Sequence, residues 1–126
     1  MVVVLDTSVL IEELRGGFGD FRVLMNQFAL GDLELLVPIV VLVELWAGKS
    51  TNHPDVGTKI MKLYEPLQLV ELTEEIAVMA GTYRRDFGLS AMDAVIAATT
   101  LVEKAQLATL NSKDFSRVPG VKIWRG

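Results

Sequence analysis

The sequence predicts an α/β domain on a mostly parallel, roughly five-stranded sheet. Three features carry that expectation. Short apolar runs rich in β-branched residues recur along the chain, most are followed by segments with helical apolar spacing, and Gly, Pro or polar turn residues separate them. Strands that alternate with helices pair in parallel, because each helix carries the chain back across the sheet. A hydrophobic content of 51% and a mean hydropathy of +0.39 suit strands buried on both faces, and leave room for some apolar surface covered by another subunit.

Val2 to Leu5 reads as a buried first strand that ends at Asp6. Thr7 to Arg15 follows as a helix with Leu10, Ile11 and Leu14 on one face, capped by Asp6 or Thr7 and ended by Gly16, Gly17 and Gly19. Phe21, Leu24, Met25 and Phe28 mark a second helix with Gly31 as its stop, and Leu35 to Val37 a second strand closed by Pro38. From Ile39 to Ala47 two patterns compete. The β-branched residues favour a strand, while Val40, Val43, Trp46 and Ala47 share a helical face. Thr51 to Pro54 reads as a loop and Val56 to Tyr64 as a helix carrying Ile60, Met61 and Tyr64. Leu67 to Leu72 is a third strand candidate. Thr73 then caps a helix with Glu74 and Glu75 in its first turn and Ile76, Met79, Ala80 and Tyr83 as its stripe. Ser90 caps a helix to about Lys104, and Leu107 to Leu110 and Val121 to Trp124 complete the strands. No internal repeat, linker or low-complexity tract divides the 126 residues, so one domain over 1–126 is expected.

With no cysteine, disulfides and thiol chemistry are excluded, which fits a cytoplasmic protein. The longest apolar run, Leu35 to Val43, contains Pro38 and falls far short of the roughly 20 residues that span a bilayer. The N-terminal run reaches Asp6 with no basic segment before it, unlike a signal peptide. Sixteen acids against 12 bases give a net charge of −4, which argues against a module that holds nucleic acid by its global field alone. It does not argue against an enzyme whose acids hold cations, since bound cations reverse the local field.

The acids sit where such an enzyme needs them. Ligands of open α/β sheets bind beyond the C-terminal ends of strands, and Asp6 lies at that end of the first strand, although an N-cap role alone also accounts for it. Glu44 is the only polar residue between Leu35 and Ala47, which makes its carboxylate costly without a cation or a set of donors; the exposed edge of an amphipathic helix is the alternative. Asp93 completes a capping box with Ser90, and the small Ala94, Ala97 and Ala98 beyond it let the helix approach the sheet closely, which directs Asp93 inward. Asn111 and Asp114 follow the fourth strand in what would otherwise be an ordinary polar turn. Carboxylates gathered within about 5 Å stay ionised together only beside cations. Without cysteine, and with His53 alone in a loop, hard ions such as Mg²⁺ or Mn²⁺ suit the oxygen set better than zinc. The matching chemistry is metal-assisted phosphodiester hydrolysis.

These residues, in this order and at these intervals, resemble the PIN domain family over essentially the whole chain, and most closely its VapC branch, the toxic ribonucleases of bacterial and archaeal toxin–antitoxin pairs. The segments that carry the resemblance are Val3 to Ile11, Val43-Glu44-Leu45, Met92 to Thr99 and Thr109 to Phe115. It implies a three-layer α/β/α sandwich, a helix for Ile39 to Ala47, and metal ligands at Asp6, Glu44, Asp93 and the Asn111–Asp114 corner. Asp6, Glu44, Asp93 and Asp114 would then be catalytic, with Thr7, Ser8 and Thr109 ordering the site. The position of Asn111 is often aspartate in the family; a neutral side chain there weakens the case for a tightly held second metal and shifts weight to Asp114.

The resemblance further implies an RNA substrate, a VapB-like antitoxin and a homodimer. Arg15, Lys49, Arg84, Arg85 and Lys113 are candidates to hold the RNA backbone, although Arg84 and Arg85 also suit a helix C-terminus. The stripe Phe21, Leu24, Met25 and Phe28 and the surroundings of Trp46 are candidates for antitoxin burial, with ordinary core packing as the alternative. A free-standing PIN-type nuclease of RNA maturation or decay, and a non-catalytic module that binds RNA or protein, are the competing functions. A phosphate-accepting signalling domain is disfavoured by the lack of an acid doublet after the first strand. Relief of repulsion predicts that neutralising Asp6 or Asp93 raises stability in metal-free buffer.

Overall fold

The computed structural model describes all 126 residues as five strands and seven α-helices. In chain order these are β1 (Val2–Leu5), α1 (Thr7–Leu14), α2 (Asp20–Ala29), β2 (Glu34–Pro38), α3 (Val41–Trp46), α4 (Pro54–Tyr64), β3 (Gln68–Val70), α5 (Glu74–Phe87), α6 (Ala91–Val102), β4 (Gln106–Ala108), α7 (Ser112–Phe115) and β5 (Lys122–Ile123). All four strand pairs are parallel, in the order β3-β2-β1-β4-β5. The expected α/β class with a five-stranded sheet is therefore present, and the sheet is wholly parallel.

β1 lies at the centre, with Val4 level with Leu36 of β2 on one side and Leu107 of β4 on the other. Val3, Val4 and Leu5 are fully buried, as a strand covered on both faces requires. From β1 the chain builds outward through β2 to β3, then returns past β1 to lay down β4 and β5. The order of strands thus reverses between β1 and β4, and a crevice opens at the C-terminal ends of these two strands. Helices α1 to α4 pack together in one group and α5 packs along α6 in another.

Helix α6 has the tightest approach to the sheet, touching β1, β2 and β4. Ala94, Ala97 and Ala98 are fully buried there, so the absence of larger side chains sets how close Asp93 comes to the strand ends. Three helix starts match their sequence signals. Asp6 accepts from the Thr7 amide at 2.8 Å, Thr73 from the Ile76 amide at 3.2 Å and Ser90 from the Asp93 amide at 3.2 Å. Gly88 closes α5 in the left-handed region at φ 69°, where a side chain would be strained.

Several local expectations change. Residues 39–47 do form a helix, but it is only Val41–Trp46 and its buried face is Val41 and Leu45, whereas Val43 is 56% exposed. A helix of six residues gives too little periodicity to identify its face. Lys49–Asn52 is a 3-10 turn, and the following helix begins at Pro54, whose fixed φ suits a first turn. β3 and β4 are shorter than their apolar runs, and Ser112–Phe115 folds as a short helix rather than a plain turn. Phe21 and Leu24 are buried in the core, and the Trp46 indole donates to the Tyr64 hydroxyl at 3.4 Å. Core packing rather than a free docking face accounts for these side chains. No helix is long and apolar enough to cross a membrane.

The packing of α6 gives a direct test. Ala97→Leu forces extra volume between helix and sheet and is expected to cost about 1–3 kcal/mol in urea unfolding. The same change at exposed Ala91 should leave the midpoint nearly unchanged.

Candidate active site

Five polar residues are buried in this chain: Asp6, Thr7, Thr99, Thr100 and Thr109. Thr99 and Thr100 return their hydroxyls to their own helix, at 2.7 Å from the Val95 carbonyl and 2.8 Å from that of Ile96. The other three gather at the β1–β4 crevice, and they need a different explanation.

Asp6 is the centre of that group. Its Oδ1 accepts from the Thr7 amide at 2.8 Å, and its Oδ2 accepts from the Ser8 hydroxyl at 2.8 Å and the Thr109 hydroxyl at 2.7 Å. A carboxylate offers about four lone-pair directions, so the group is fixed by its donors while one direction on Oδ1 stays free. Ser8 Oγ in turn accepts from the Leu110 amide at 3.0 Å, and Thr109 Oγ1 from the Asn111 amide at 2.9 Å. The start of α1 and the end of β4 are thereby laced through one carboxylate. The Thr7 hydroxyl donates to Glu44 Oε1 at 2.7 Å, which brings α3 into the same network.

Glu44 itself is exposed, because α3 turns it outward into the crevice rather than into the core. Its cost of burial is therefore smaller than its apolar neighbours in sequence suggest. Asp93 stands in the first turn of α6, half-buried. Burial pushes its carboxyl above the ordinary carboxylate value, the charges of Asp6, Glu44 and Asp114 push it further, and the Ser90 hydroxyl works in the opposite sense. Acids from three other segments thus act on Asp93 here.

A cleft of ≈ 340 Å³ holds this assembly, lined by Asp6, Thr7, Ser8, Ile11, Glu44, Ser90, Asp93 and Asn111. The fourth corner resolves in an informative way. Asn111 Nδ2 donates to Asp114 Oδ2 at 2.7 Å, and Arg117 donates to Asp114 Oδ1 at 2.7 Å. Asp114 does not line the cleft and has both oxygens engaged, whereas Asn111 is on the wall, its amide nitrogen taken by Asp114 and its side-chain carbonyl without a hydrogen-bond partner. The carboxylates surround the cleft rather than closing on one point, and no three acidic or histidine side chains form a ready-made ion cage. The set is looser than carboxylates within about 5 Å of each other would be. Its chemistry still fits a hard divalent cation. The donors are all oxygen, Asp6 keeps a free lone pair, and a cation would offset both the burial of the Asp93 carboxylate and the neighbouring negative charges that together raise it.

The expected basic residues divide. Arg15 lies in both grooves that flank the acid cleft, one of ≈ 520 Å³ and one of ≈ 350 Å³. Lys49, Arg84, Arg85 and Lys113 line none of these clefts, and Arg85 is paired with Asp86 at 2.8 Å. Two basic residues absent from the expected set take part instead. Lys59 on α4 lines a groove with Arg15 and Glu44, and Arg117 holds Asp114. A spacing of three residues, from α7 to just past its C-cap, is a signal for the Asp114–Arg117 pair, whereas only the packing of α4 against α1 brings Lys59 into place.

A parallel sheet with an acidic crevice at its switch point defines a class of protein, and the comparisons agree with it. The PIN domain family model matches residues 3–121, and the chain belongs to that family. A relative named Ribonuclease VapC1, from Rickettsia felis, is 25% identical over 132 aligned positions that cover 98% of this chain and 95% of the relative. Among solved structures, a toxin–antitoxin complex from Klebsiella pneumoniae is 25% identical with a TM-score of 0.71, covering 94% of each chain. VapBC2 from Rickettsia felis bound to a promoter DNA fragment has a TM-score of 0.82 at 20% identity, covering 99% of this chain and 100% of its own. VapBC-1 from nontypeable Haemophilus influenzae has a TM-score of 0.81 at 23% identity, covering 98% and 97%.

The two central carboxylates should respond oppositely to neutralisation. Asp93 has a raised folded-state value, so its ionised form costs stability in full above that value and nothing below the ordinary unfolded value near 3.9. In EDTA, Asp93→Asn is expected to raise the Tm at pH 7, with the gain vanishing as the pH falls below about 4. Asp6→Asn puts an amide among three donors and is expected to lower stability by about 1–3 kcal/mol, against the simple expectation from repulsion. Thermal unfolding of both variants across pH 3.5–8 as a test range, roughly spanning carboxylate titration, checks both signs.

Proposed function

We propose that this chain is a divalent-metal-dependent endoribonuclease that hydrolyses RNA phosphodiester bonds, and that it acts as the toxin of a VapBC-type toxin–antitoxin pair. One observation carries the chemical part: Asp6, fixed by three hydrogen bonds, shares a cleft with Glu44 and with Asp93, whose carboxyl is raised by burial first and by the neighbouring acids second. Membership of the PIN family and the likeness to a protein named Ribonuclease VapC1 support RNA as substrate.

Asp6, Glu44 and Asp93 would hold Mg²⁺ or Mn²⁺, with the Asn111 carbonyl at the remaining corner. A bound cation of this kind supplies a water of lowered pKa and neutralises charge on phosphate oxygens. The chain's own residues do the positioning. Thr7 and Ser8, with Thr109 opposite, lock the orientations of Asp6 and Glu44, so little reorganisation is left for the reaction itself. Arg15 and Lys59 in the flanking grooves provide cationic contacts for the RNA backbone on either side of the cut. Asp114 is a positioning residue in this scheme, bracing Asn111 while Arg117 neutralises it.

A VapB-like antitoxin and a homodimer belong to the same proposal, as does a cytoplasmic setting and a single domain over the whole chain. The solved likenesses include complexes named as VapBC. Phe18, Leu30, Val43, Met61 and Val78 are exposed apolar side chains that a partner protein or a second copy would cover.

Purified protein is expected to cleave structured RNA with Mg²⁺ or Mn²⁺ and to stop with EDTA. Asp93→Asn and Asp6→Asn should each lower the rate by about 10²–10³-fold, the loss typical for one preorganised electrostatic group. Thr109→Val, which removes the hydroxyl that donates to Asp6 and accepts from the Asn111 amide, should cost about 10–100-fold. Wild-type protein that binds RNA without cutting it in either metal would favour a non-catalytic module instead.

A further inference from the structure

The larger of the two flanking grooves holds residues, Glu12 above all, that the hydrolytic scheme leaves unused. It measures ≈ 520 Å³ and is lined by Ser8, Ile11, Glu12, Arg15, Gly17 and Leu110. Ser8 and Ile11 are also walls of the acid cleft, so the groove opens directly onto the candidate active site. Leu110 is 53% exposed immediately after the strand-end threonine that holds Asp6. With Ile11 it offers an apolar surface beside a polar floor.

Glu12 is the unexpected member. The Gly17–Gly19 loop folds over its side chain so closely that a Cβ at Gly17 would lie 2.8 Å from Glu12 Cγ, and one at Gly19 would overlap the Glu12 carboxylate. The glycines are therefore required for Glu12 to sit where it does. Yet the carboxylate has no cationic partner, since the chain's ion pairs are Arg22–Glu13, Arg85–Asp86 and Arg117–Asp114. Arg15, on the same groove wall, is likewise in none of them. A carboxylate without an ion-pair partner, packed against the Gly17–Gly19 loop, an unpartnered guanidinium and an apolar surface line one groove next to the candidate active site.

We propose that this groove is a nucleotide subsite that selects guanine in the RNA beside the scissile bond, and the proposal rests on the ribonuclease reading above. A carboxylate accepts two hydrogen bonds side by side. Guanine presents two adjacent N–H donors on its Watson–Crick edge, from N1 and the exocyclic N2, whereas adenine and cytosine present only their exocyclic amine and uracil a single N–H. Glu12 reads that edge, Ile11 and Leu110 pack against the ring, and Arg15 meets the phosphate. Unstacked single-stranded bases are the form of RNA that such a groove admits.

The test uses the whole protein in EDTA, where nothing is cut, with GMP, AMP, CMP, UMP and inorganic phosphate as probes in NMR titrations. GMP is expected to bind about tenfold more tightly than the other nucleotides, as a bidentate contact discriminates, and to shift the Gly17 amide and the Ile11 and Leu110 methyls. Glu12→Met keeps the side chain's length under the loop but removes its acceptors, and should erase the preference while the response to inorganic phosphate at Arg15 persists. Equal binding of all four nucleotides, a response that inorganic phosphate alone reproduces, or a preference retained in Glu12→Met would each overturn the proposal. Loss of RNA cleavage in the wild type is a separate result, because nucleotide binding is measured without turnover.

Discussion

The hydrogen-bonded carboxylate of Asp6 is the constraint on which the site depends. A charge this deeply placed at the end of a central strand is costly unless donors meet it, and three donors do, from Thr7, Ser8 and Thr109. They come from the helix that β1 feeds and from the end of the strand beside it. The Asp6 amide also donates to the Ala108 carbonyl at 3.0 Å, continuing the β1–β4 ladder one step past the strand. Register, helix start and site orientation are therefore not separate features. A slip of β4 by one residue would turn Thr109 to the other face and leave Oδ2 with one donor fewer.

Charge is distributed on a matching principle. The chain as a whole is acidic, at −4, which offers no long-range attraction to a polyanion. The local arrangement compensates by separation. Asp6, Glu44 and Asp93 occupy the cleft, Arg15 and Lys59 lie in the grooves beside it, and Asp114, which does not line it, is neutralised by Arg117. A cation in the cleft would invert the field where the phosphate must approach, so the net acidity of the sequence and a nucleic-acid substrate are compatible. The Asp93 carboxyl is raised by its burial first and by the neighbouring acids second.

How much of this could be read from the chain depended on the range of the interaction involved. β1 was legible because four apolar residues in a row followed by an acid leave little choice, and the Ser90 and Thr73 caps because a cap is a contact between near neighbours. Asp6 was singled out by its place at a strand end, Glu44 by its apolar neighbours and Asp93 by the small residues beyond it; the structure brings the three into one cleft, although Glu44 is exposed and its apolar neighbours were a poor guide to its burial. The face of α3 was not legible, since Val40, Val43 and Trp46 make a plausible stripe and only tertiary packing selects Val41 and Leu45. The same holds for the basic residues. Proximity in sequence to a helix end put Lys49 and Arg84 on a par with Arg15, whereas the grooves admit Arg15 and add Lys59 from a helix with no local signal.

The Asn111 corner shows why a neutral residue there need not weaken the site. Were Asn111 an acid, its carboxylate would face Asp114 across the 2.7 Å contact that its amide now makes, and the two would repel. As an amide it donates to Asp114 with its nitrogen, which frees its carbonyl for the cleft, and Asp114 then takes its second partner from Arg117. In the proposed scheme the corner would offer a neutral oxygen without adding charge to a cleft whose acids already act on Asp93. Helix α6 must carry Asp93 into that field, and its buried alanines supply the close packing that holds it there. The core on one side of the sheet thus holds a half-buried carboxylate among other acids at its rim, at a cost that the stability of the scaffold offsets.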